Sequence, residues 1–392
     1  MRVLISTTAN DGHFGPLVPL GRAALARGHE VRVAAPASFA DTVRRAGFAH
    51  VAFADPSPEL VGPVMARLPT LPFDQADTTV VREVFGRIDA QAAYPGVLAA
   101  AEDWRPEVLV REPAELGSLA AAERLGIPHL QVVIGMSELT RVLTELLVEP
   151  LADLSRIAEL TDDALSTAMA AEPLLSQVPE SLDRAGDTGF DPTAIAFRYR
   201  DGSAPPGTAV PLPVWGDPDH LLVYVTFGSV AGSLPPFAGV FRQALDGLAE
   251  QPVRVLMTVG RRVDIAALGP VPPNARVEAW WPQTDVLAQA GLVLGHGGFG
   301  TTMGALAAGV PQVVAPIFTS DQIVNARHVA AIGAGRMVAA GPDAPGRACR
   351  EVAGVLADPA CRRAAAEVAA EIEALPPVSQ ALDVLERHAS GG

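Results

Sequence analysis

The chain of 392 residues contains no lysine; all 29 of its basic residues are arginine. Without a lysine amine there is no Schiff base to a carbonyl substrate or to pyridoxal phosphate, and no lysine to clamp a phosphate. Any diphosphate must then be held by backbone N–H groups, hydroxyls, histidine or arginine. Basic runs are missing too, and the net charge of −15 argues against nucleic acid or an anionic membrane surface as a partner. Cysteine is scarce. Cys349 and Cys361 are the only two, and on one continuous helix they would lie about 18 Å apart, too far for a disulfide. No cysteine cluster or His-Glu-x-x-His pattern suggests a metal. No apolar run is long enough to span a bilayer, and the first six residues read as a short strand, not a signal peptide. The expected setting is the cytoplasm.

What is present is apolar and rhythmic. Hydrophobic residues make up 49% and charged residues 19%, and the length is comfortable for two domains. Short apolar runs bounded by turn signals alternate with amphipathic stretches, the pattern of α/β folds with parallel sheets. Strands are expected at 3–6, 31–35, 108–110 and 129–134, with helices at 17–27 and 116–125. After a stretch rich in proline and glycine at 201–219, a second series follows, with strands at 221–226, 253–259, 276–279, 292–294 and 312–315. Segments 55–95 and 136–190 carry helical patches and several prolines and look less regular, as insertions that shape a substrate pocket do. The expected division is 1–204, a linker at 205–220, 221–375, and a C-terminal helix from 376 that folds back onto the first domain.

The segment 292–301 is the most distinctive. An apolar run ends in Gly295-His296-Gly297-Gly298-Phe299-Gly300-Thr301 and a helix-like segment begins. Glycines let a backbone approach a ligand, and N–H groups at a helix start attract anions, so the place reads as a phosphate site. It lacks the Gly-Lys-Ser/Thr ending of a P-loop. In the first half, His13 follows the first strand within Asn10-Asp11-Gly12-His13-Phe14-Gly15-Pro16. That is no Gly-x-Gly-x-x-Gly, and the second strand ends without an acidic ribose ligand, so a dinucleotide enzyme is disfavoured.

A lone histidine is usually structural, but ligands bind at the strand ends of open α/β sheets, where His13 could act as a general base. Glu112, directly after the third expected strand, could orient it, with Glu115 and Asp11 as competitors. Trp281 and Gln283 could stack on a base and pair with its edge, or simply pack in a core. Asp321 and Gln322 could meet sugar hydroxyls, or be an ordinary loop pair, and the Ser229 hydroxyl could reach a phosphate. Asp217-Pro218-Asp219 has the spacing of a metal-binding Asp-x-Asp, but in a proline-rich linker it reads as solvated charge.

Taken together, Trp280-Trp281-Pro282-Gln283, His296-Gly297-Gly298-Phe299-Gly300-Thr301, the Ala-Ala-Gly-Val-Pro-Gln-Val-Val run at 307–314 and the Asp-Gln-Ile-Val-Asn-Ala run at 321–326 resemble the family 1 glycosyltransferases of bacterial natural-product pathways. The resemblance implies a GT-B fold: two Rossmann-like α/β domains whose parallel sheets face across a cleft. The first domain would take a hydrophobic small-molecule acceptor and the second a nucleotide-sugar donor, with no cofactor and no metal. It places the catalytic base at His13 and its acidic partner at Glu112, where the family more often has aspartate. His296, Gly298, Gly300, Thr301 and Ser229 fall on diphosphate contacts, Trp281 and Gln283 on base contacts, and Asp321 and Gln322 on sugar contacts. Where the family often has a ribose-binding glutamate, three residues beyond Thr301, this chain has Gly304, which points to a dTDP-sugar donor. The expected reaction is inverting transfer of a deoxysugar to a hydroxyl of the acceptor, by a chain compatible with a homodimer. The competing readings are a nucleotide-sugar 2-epimerase and a non-catalytic nucleotide-sugar-binding auxiliary protein.

Overall fold

The computed structural model describes residues 1–186, 195–202, 210–228 and 239–391. Among these, two parallel sheets stand out. The first holds β1 (Arg2–Ser6), β2 (Glu30–Pro36), β3 (Ala49–Phe53), β4 (Val108–Arg111), β5 (His129–Val132), β6 (Leu174–Ser176) and β7 (Ile195–Arg198), in the order β3-β2-β1-β4-β5-β6-β7. The second holds β8 (Leu221–Thr226), β9 (Val253–Thr258), β10 (Ala275–Glu278), β11 (Ala290–Gly295), β12 (Gln312–Val314) and β13 (Gly335–Met337), in the order β10-β9-β8-β11-β12-β13.

Counted from its own first strand, each sheet runs 3-2-1-4. This is the doubly wound order, in which the topology reverses between the first and fourth strands and leaves a crevice at their carboxyl ends. In the first sheet that point is β1 beside β4, with Ser6 opposite Arg111. In the second it is β8 beside β11, with Thr226 opposite Gly295. Whatever follows those residues is therefore gathered at one edge of its own sheet.

The strands are nearly continuous apolar runs because both faces are covered. Val3, Ile5, Val33, Val108 and Val110 pack on one side of the first sheet, and Leu4, Ala34 and Leu109 on the other. In the second sheet Val223, Val225, Leu292 and Leu294 share one core, and Leu222, Tyr224 and Val293 the opposite one. The chain divides into two compact units: Met1–Gln177 with Gly189–Gly202 and Leu375–Gly392, and Val178–Thr188 with Ser203–Ala374. The helix Val378–Ala389 belongs to the first. Its Ala381, Leu382 and Leu385 join the core of Val3 and Ile5, and its acids pair with Arg27 and His29, at 2.6 Å for Arg27–Asp383 and 2.8 Å for His29–Glu386.

The segments expected to be less regular, with helical patches, are largely helical among the described residues, with Pro58–Arg67, Val80–Asp89, Ala90–Trp104 and Ser137–Ile157 as the longest helices. Proline misleads here because it removes a backbone donor and usually breaks a helix, yet Pro63, Pro95 and Pro150 all lie inside helices. Packing holds at least one of them: Pro150 is buried, and a Cβ added to Gly86 would stand 2.8 Å from its ring. Four strands escape the periodicity, β3, β6, β7 and β13; three of them are three or four residues long. Cys349 and Cys361 lie on different helices, Ala344–Ala357 and Pro359–Ala374, and both are free and buried. Among the described residues no helix is long and apolar enough to cross a membrane.

Candidate active site

In the first unit the crevice between β1 and β4 brings Thr8, His13 and Glu112 together. Asn10 caps a four-residue helix, Asp11–Phe14, by accepting the Gly12 N–H at 2.8 Å. His13 sits on that helical turn, beyond the carboxyl end of β1. Its Nδ1 lies 3.1 Å from Oε2 of Glu112, whose side chain is wholly buried. The glutamate's extra methylene therefore does not prevent the contact. Glu112 Oε1 accepts from both the N–H and the hydroxyl of Thr8, each at 3.1 Å, and Oε2 from the Ala114 N–H at 2.6 Å. Burial pushes the carboxyl pKa up, but the His13 charge and these donors outweigh it and hold Glu112 below the usual carboxylate range. A carboxylate at Nδ1 fixes the proton there and leaves Nε2 as the basic nitrogen. Such a pair can take a proton from a hydroxyl.

The competing acids have other places. Glu115 accepts the Ser118 N–H at 3.2 and 3.1 Å, capping the helix Gly117–Leu125. Asp11 is exposed. Behind the pair lies a residue that sequence reasoning passed over. Arg111 is fully buried and pairs with the equally buried Glu172. Its Nη1 donates to the carbonyls of Glu112 at 3.1 Å, Pro113 at 3.4 Å and Glu115 at 3.4 Å, clamping the loop that carries Glu112. His129 continues the network, 3.1 Å from Glu172 and 2.9 Å from Glu123.

A cavity of about 160 Å³ opens beside the pair, lined among others by Thr8, Asn10, Phe53, Phe85, Asp89 and Glu115. That is room for one benzene-sized group. The Phe85 ring lies 5.6 Å from the His13 imidazole. Burial first, and then the charges of Glu112 and Glu115 against the opposing pull of His13, push the Asp89 carboxyl up to about 7. The folded state thus keeps a proton that the unfolded state gives up near pH 4, so stability falls as pH rises from about 4 to 7. Asp89→Asn removes that loss. The melting temperature of the variant relative to the parent should climb across this window and level off above it; a constant difference would contradict the assignment.

The second unit repeats the arrangement with different side chains. Gly228 follows β8 and His296 follows β11. Burial pulls the His296 imidazole down to about 4, opposed by the Thr226 carbonyl, so it is neutral at neutral pH. Its Nδ1 is sealed from solvent with no hydrogen-bond partner among the described residues. The ring explains two glycines. A Cβ at Gly228, where φ is +75°, would come within 2.8 Å of Nε2, and one at Gly298 within 2.6 Å. Asn325, buried, donates to the Gly297 carbonyl at 2.8 Å and holds the loop.

The helix Phe299–Ala307 then starts at Gly298 with no side-chain cap, so its first-turn N–H groups are left for another acceptor, and an anion suits them. A Cβ at Gly300 would meet nothing within 4 Å among the described residues beyond its own helix backbone and chain neighbours. This separates the glycines into one the protein needs and one that leaves space. Gly298→Ala should displace His296 and weaken nucleoside-diphosphate binding about 10-fold or more, consistent with the cost of forcing a packed side chain off its place. Calorimetry would read it, and unchanged affinity would remove His296 from the site.

Around this loop, Gln283 Nε2 donates to the Thr301 hydroxyl at 3.1 Å. Trp281 is half-buried on the cluster of Tyr224 and Leu287, with the Arg276 guanidinium 5.6 Å from its ring centre. Asp321 stands in the first turn of the helix Ser320–Ala331. Gln322 is buried, and its carbonyl oxygen already accepts from the Ile317 and Phe318 N–H groups at 2.8 and 3.2 Å, leaving only its amide N–H groups to offer a sugar. Ser229 lies outside the described residues. Among the described residues no group of three or more His, Cys, Asp or Glu side chains is placed to hold a metal. Asp217 instead accepts the Asp219 N–H at 3.0 Å, closing a turn.

Two family models cover most of the chain. The N-terminal domain of the erythromycin biosynthesis protein CIII-like family matches residues 22–206, and its C-terminal domain matches residues 242–386. The L-demethylnoviosyl transferase of Streptomyces niveus is 32% identical over 345 residues, covering 86% of this chain and 84% of that one. The elloramycin glycosyltransferase ElmGT of Streptomyces olivaceus is 32% identical over 384 residues, covering 96% and 94%. Among solved structures, the spinosyn rhamnosyltransferase SpnG complexed with thymidine diphosphate superposes with a TM-score of 0.78 at 26% identity, covering 98% of this chain and all of that one. The chain belongs to the erythromycin biosynthesis protein CIII-like family and is a family 1 glycosyltransferase of natural-product biosynthesis with the two-domain GT-B fold, an enzyme that moves glycosyl groups to natural-product aglycones.

Proposed function

We propose that the chain transfers a deoxysugar from a dTDP-sugar to a hydroxyl of a hydrophobic aglycone, with inversion and without a metal. The observation that carries this reading is the contact of His13 Nδ1 with the buried Glu112 carboxylate at 3.1 Å. His13 Nε2 takes the acceptor proton as the oxygen attacks the anomeric carbon, and the charge that forms on the ring is stabilised by Glu112. The nucleoside diphosphate departs from the opposite face, which inverts the centre. Its growing charge falls on the uncapped N–H groups of Phe299–Ala307 and on His296. No lysine is needed for this.

The nucleotide is supported by two things. Thymidine diphosphate is bound in SpnG, and position 304 here is glycine. A Cβ at Gly304 would stand 3.2 Å from Leu287 and 4.0 Å from the Gln283 amide oxygen. A carboxylate there would serve ribose hydroxyls, and deoxyribose has one fewer. Calorimetry with dTDP and UDP tests the donor: dTDP should bind more tightly, and clearly tighter UDP would overturn it. Turnover should survive EDTA, whereas a loss restored by a divalent cation would overturn the metal-free mechanism.

A further inference from the structure

We propose that Asp89 reads the acceptor: its carboxyl hydrogen-bonds a second hydroxyl on the ring that enters the cavity, beside the hydroxyl that His13 deprotonates. The site then takes rings with two neighbouring hydroxyls over rings with one. This rests on the acceptor reading above and adds a selection rule to it.

Three observations carry it. Asp89 and Phe85 stand four residues apart on the wide helix Val80–Asp89 and both line the cavity, so one helix supplies an aromatic wall and a carboxyl. Wide π-type turns of this kind concentrate at functional sites. Oδ1 of Asp89 is buried and has no hydrogen-bond partner among the described residues, an arrangement that is costly unless something completes it. Thr8 lines the same cavity, and its hydroxyl lies 3.2 Å from His13 Nδ1. A ring held at Asp89 is thus held beside Thr8, one residue from the His13–Glu112 pair.

The surroundings decide what the carboxyl can accept. Glu112, Glu115 and His13 are the charged groups that act on it, and burial, with the two carboxylates adding to it, keeps its own proton on until about neutral pH. A third negative charge brought in by the acceptor would be repelled. A hydroxyl suits both states, donating to the carboxylate or pairing with the acid. Phe53, Phe85, Ala90 and Ala93 supply apolar walls for the ring itself.

Catechol and phenol are small enough for the cavity and differ by the one hydroxyl at issue. Their binding to the whole chain can be followed by NMR titration near pH 7. Catechol should bind about 10-fold more tightly than phenol, the size of one hydrogen bond to a charged or nearly charged group. Asp89→Leu should bind the two alike, at the affinity of phenol, and Asp89→Asn, which keeps the shape and an acceptor oxygen, should retain part of the preference. Equal binding to the parent, a preference that survives in Asp89→Leu, or an equal loss of both ligands would each overturn the proposal. The transfer reading fails separately: His13→Ala with normal turnover would sink it and leave the catechol preference standing.

Discussion

Replacing His13 with alanine should lower transfer by roughly 10²–10⁴-fold or more and leave dTDP affinity unchanged. The size follows from what the imidazole does. A hydroxyl is a poor nucleophile until its proton has somewhere to go, and Nε2 of His13 is the base proposed for it. Water cannot fill the role well, because the proton must land on a group already stabilised as a cation. That stabilisation is built in: Glu112 is wholly buried, 3.1 Å from Nδ1, and held ionised by Thr8 and Ala114 as well as by the imidazole. The dTDP arm of the prediction follows from the domain layout. The glycines, His296 and the helix Phe299–Ala307 belong to the second unit and His13 to the first. Steady-state kinetics read the turnover and calorimetry the affinity. Weakened dTDP binding with normal turnover would reverse the two assignments.

Arg111→Met should destabilise the protein by about 3–5 kcal/mol, the usual cost of stripping one partner from a buried ion pair. Among the described residues Glu172, its side chain fully buried, would be left with only His129. The carbonyls of Glu112, Pro113 and Glu115 would also lose their common donor. The effect is legible as a lost unfolding midpoint in urea. It separates from a simple packing defect through the double variant Arg111→Met/Glu172→Leu, in which the orphaned carboxylate is gone and part of the stability should return. If the double variant were no better than the single, the charge would not be the cause. Residual transfer by the single variant should be low as well, since its loop no longer holds Glu112 against His13.

Much of the frame is readable from residue order. The expected strands at 3–6, 108–110, 221–226 and 292–294 fall on β1, β4, β8 and β11, the four that flank the two switch points. Their apolar runs are long enough and bounded sharply enough to show. His13, Glu112 and His296 stand just beyond them, so topology alone brings them to sheet edges. Other parts are hidden for physical reasons. Arg111 looks like a solvated charge at the end of a strand; its one signal is that a strand of a parallel sheet covered on both faces has no solvent side. Asp89 reads as one more polar residue of an amphipathic helix, because the sealing of its Oδ1 depends on elements far away in sequence. Gly298 looks like a ligand-contact glycine, and its closeness to the His296 ring appears only once φ and ψ are fixed. Thr8 carries no sequence signal at all. Its hydroxyl matters because the register of β1 on β4 sets it against Glu112.

The central claim is one displacement at the anomeric carbon with His13 as the base, and the stereochemistry of the product tests it most directly. A dTDP-sugar of known anomeric configuration is incubated with the enzyme and an accepted aglycone, and the glycosidic coupling constant is read by NMR. Inversion is the predicted result. Retention would contradict the account, because it requires a second displacement or a front-face mechanism that neither His13 nor Glu112 is placed here to perform.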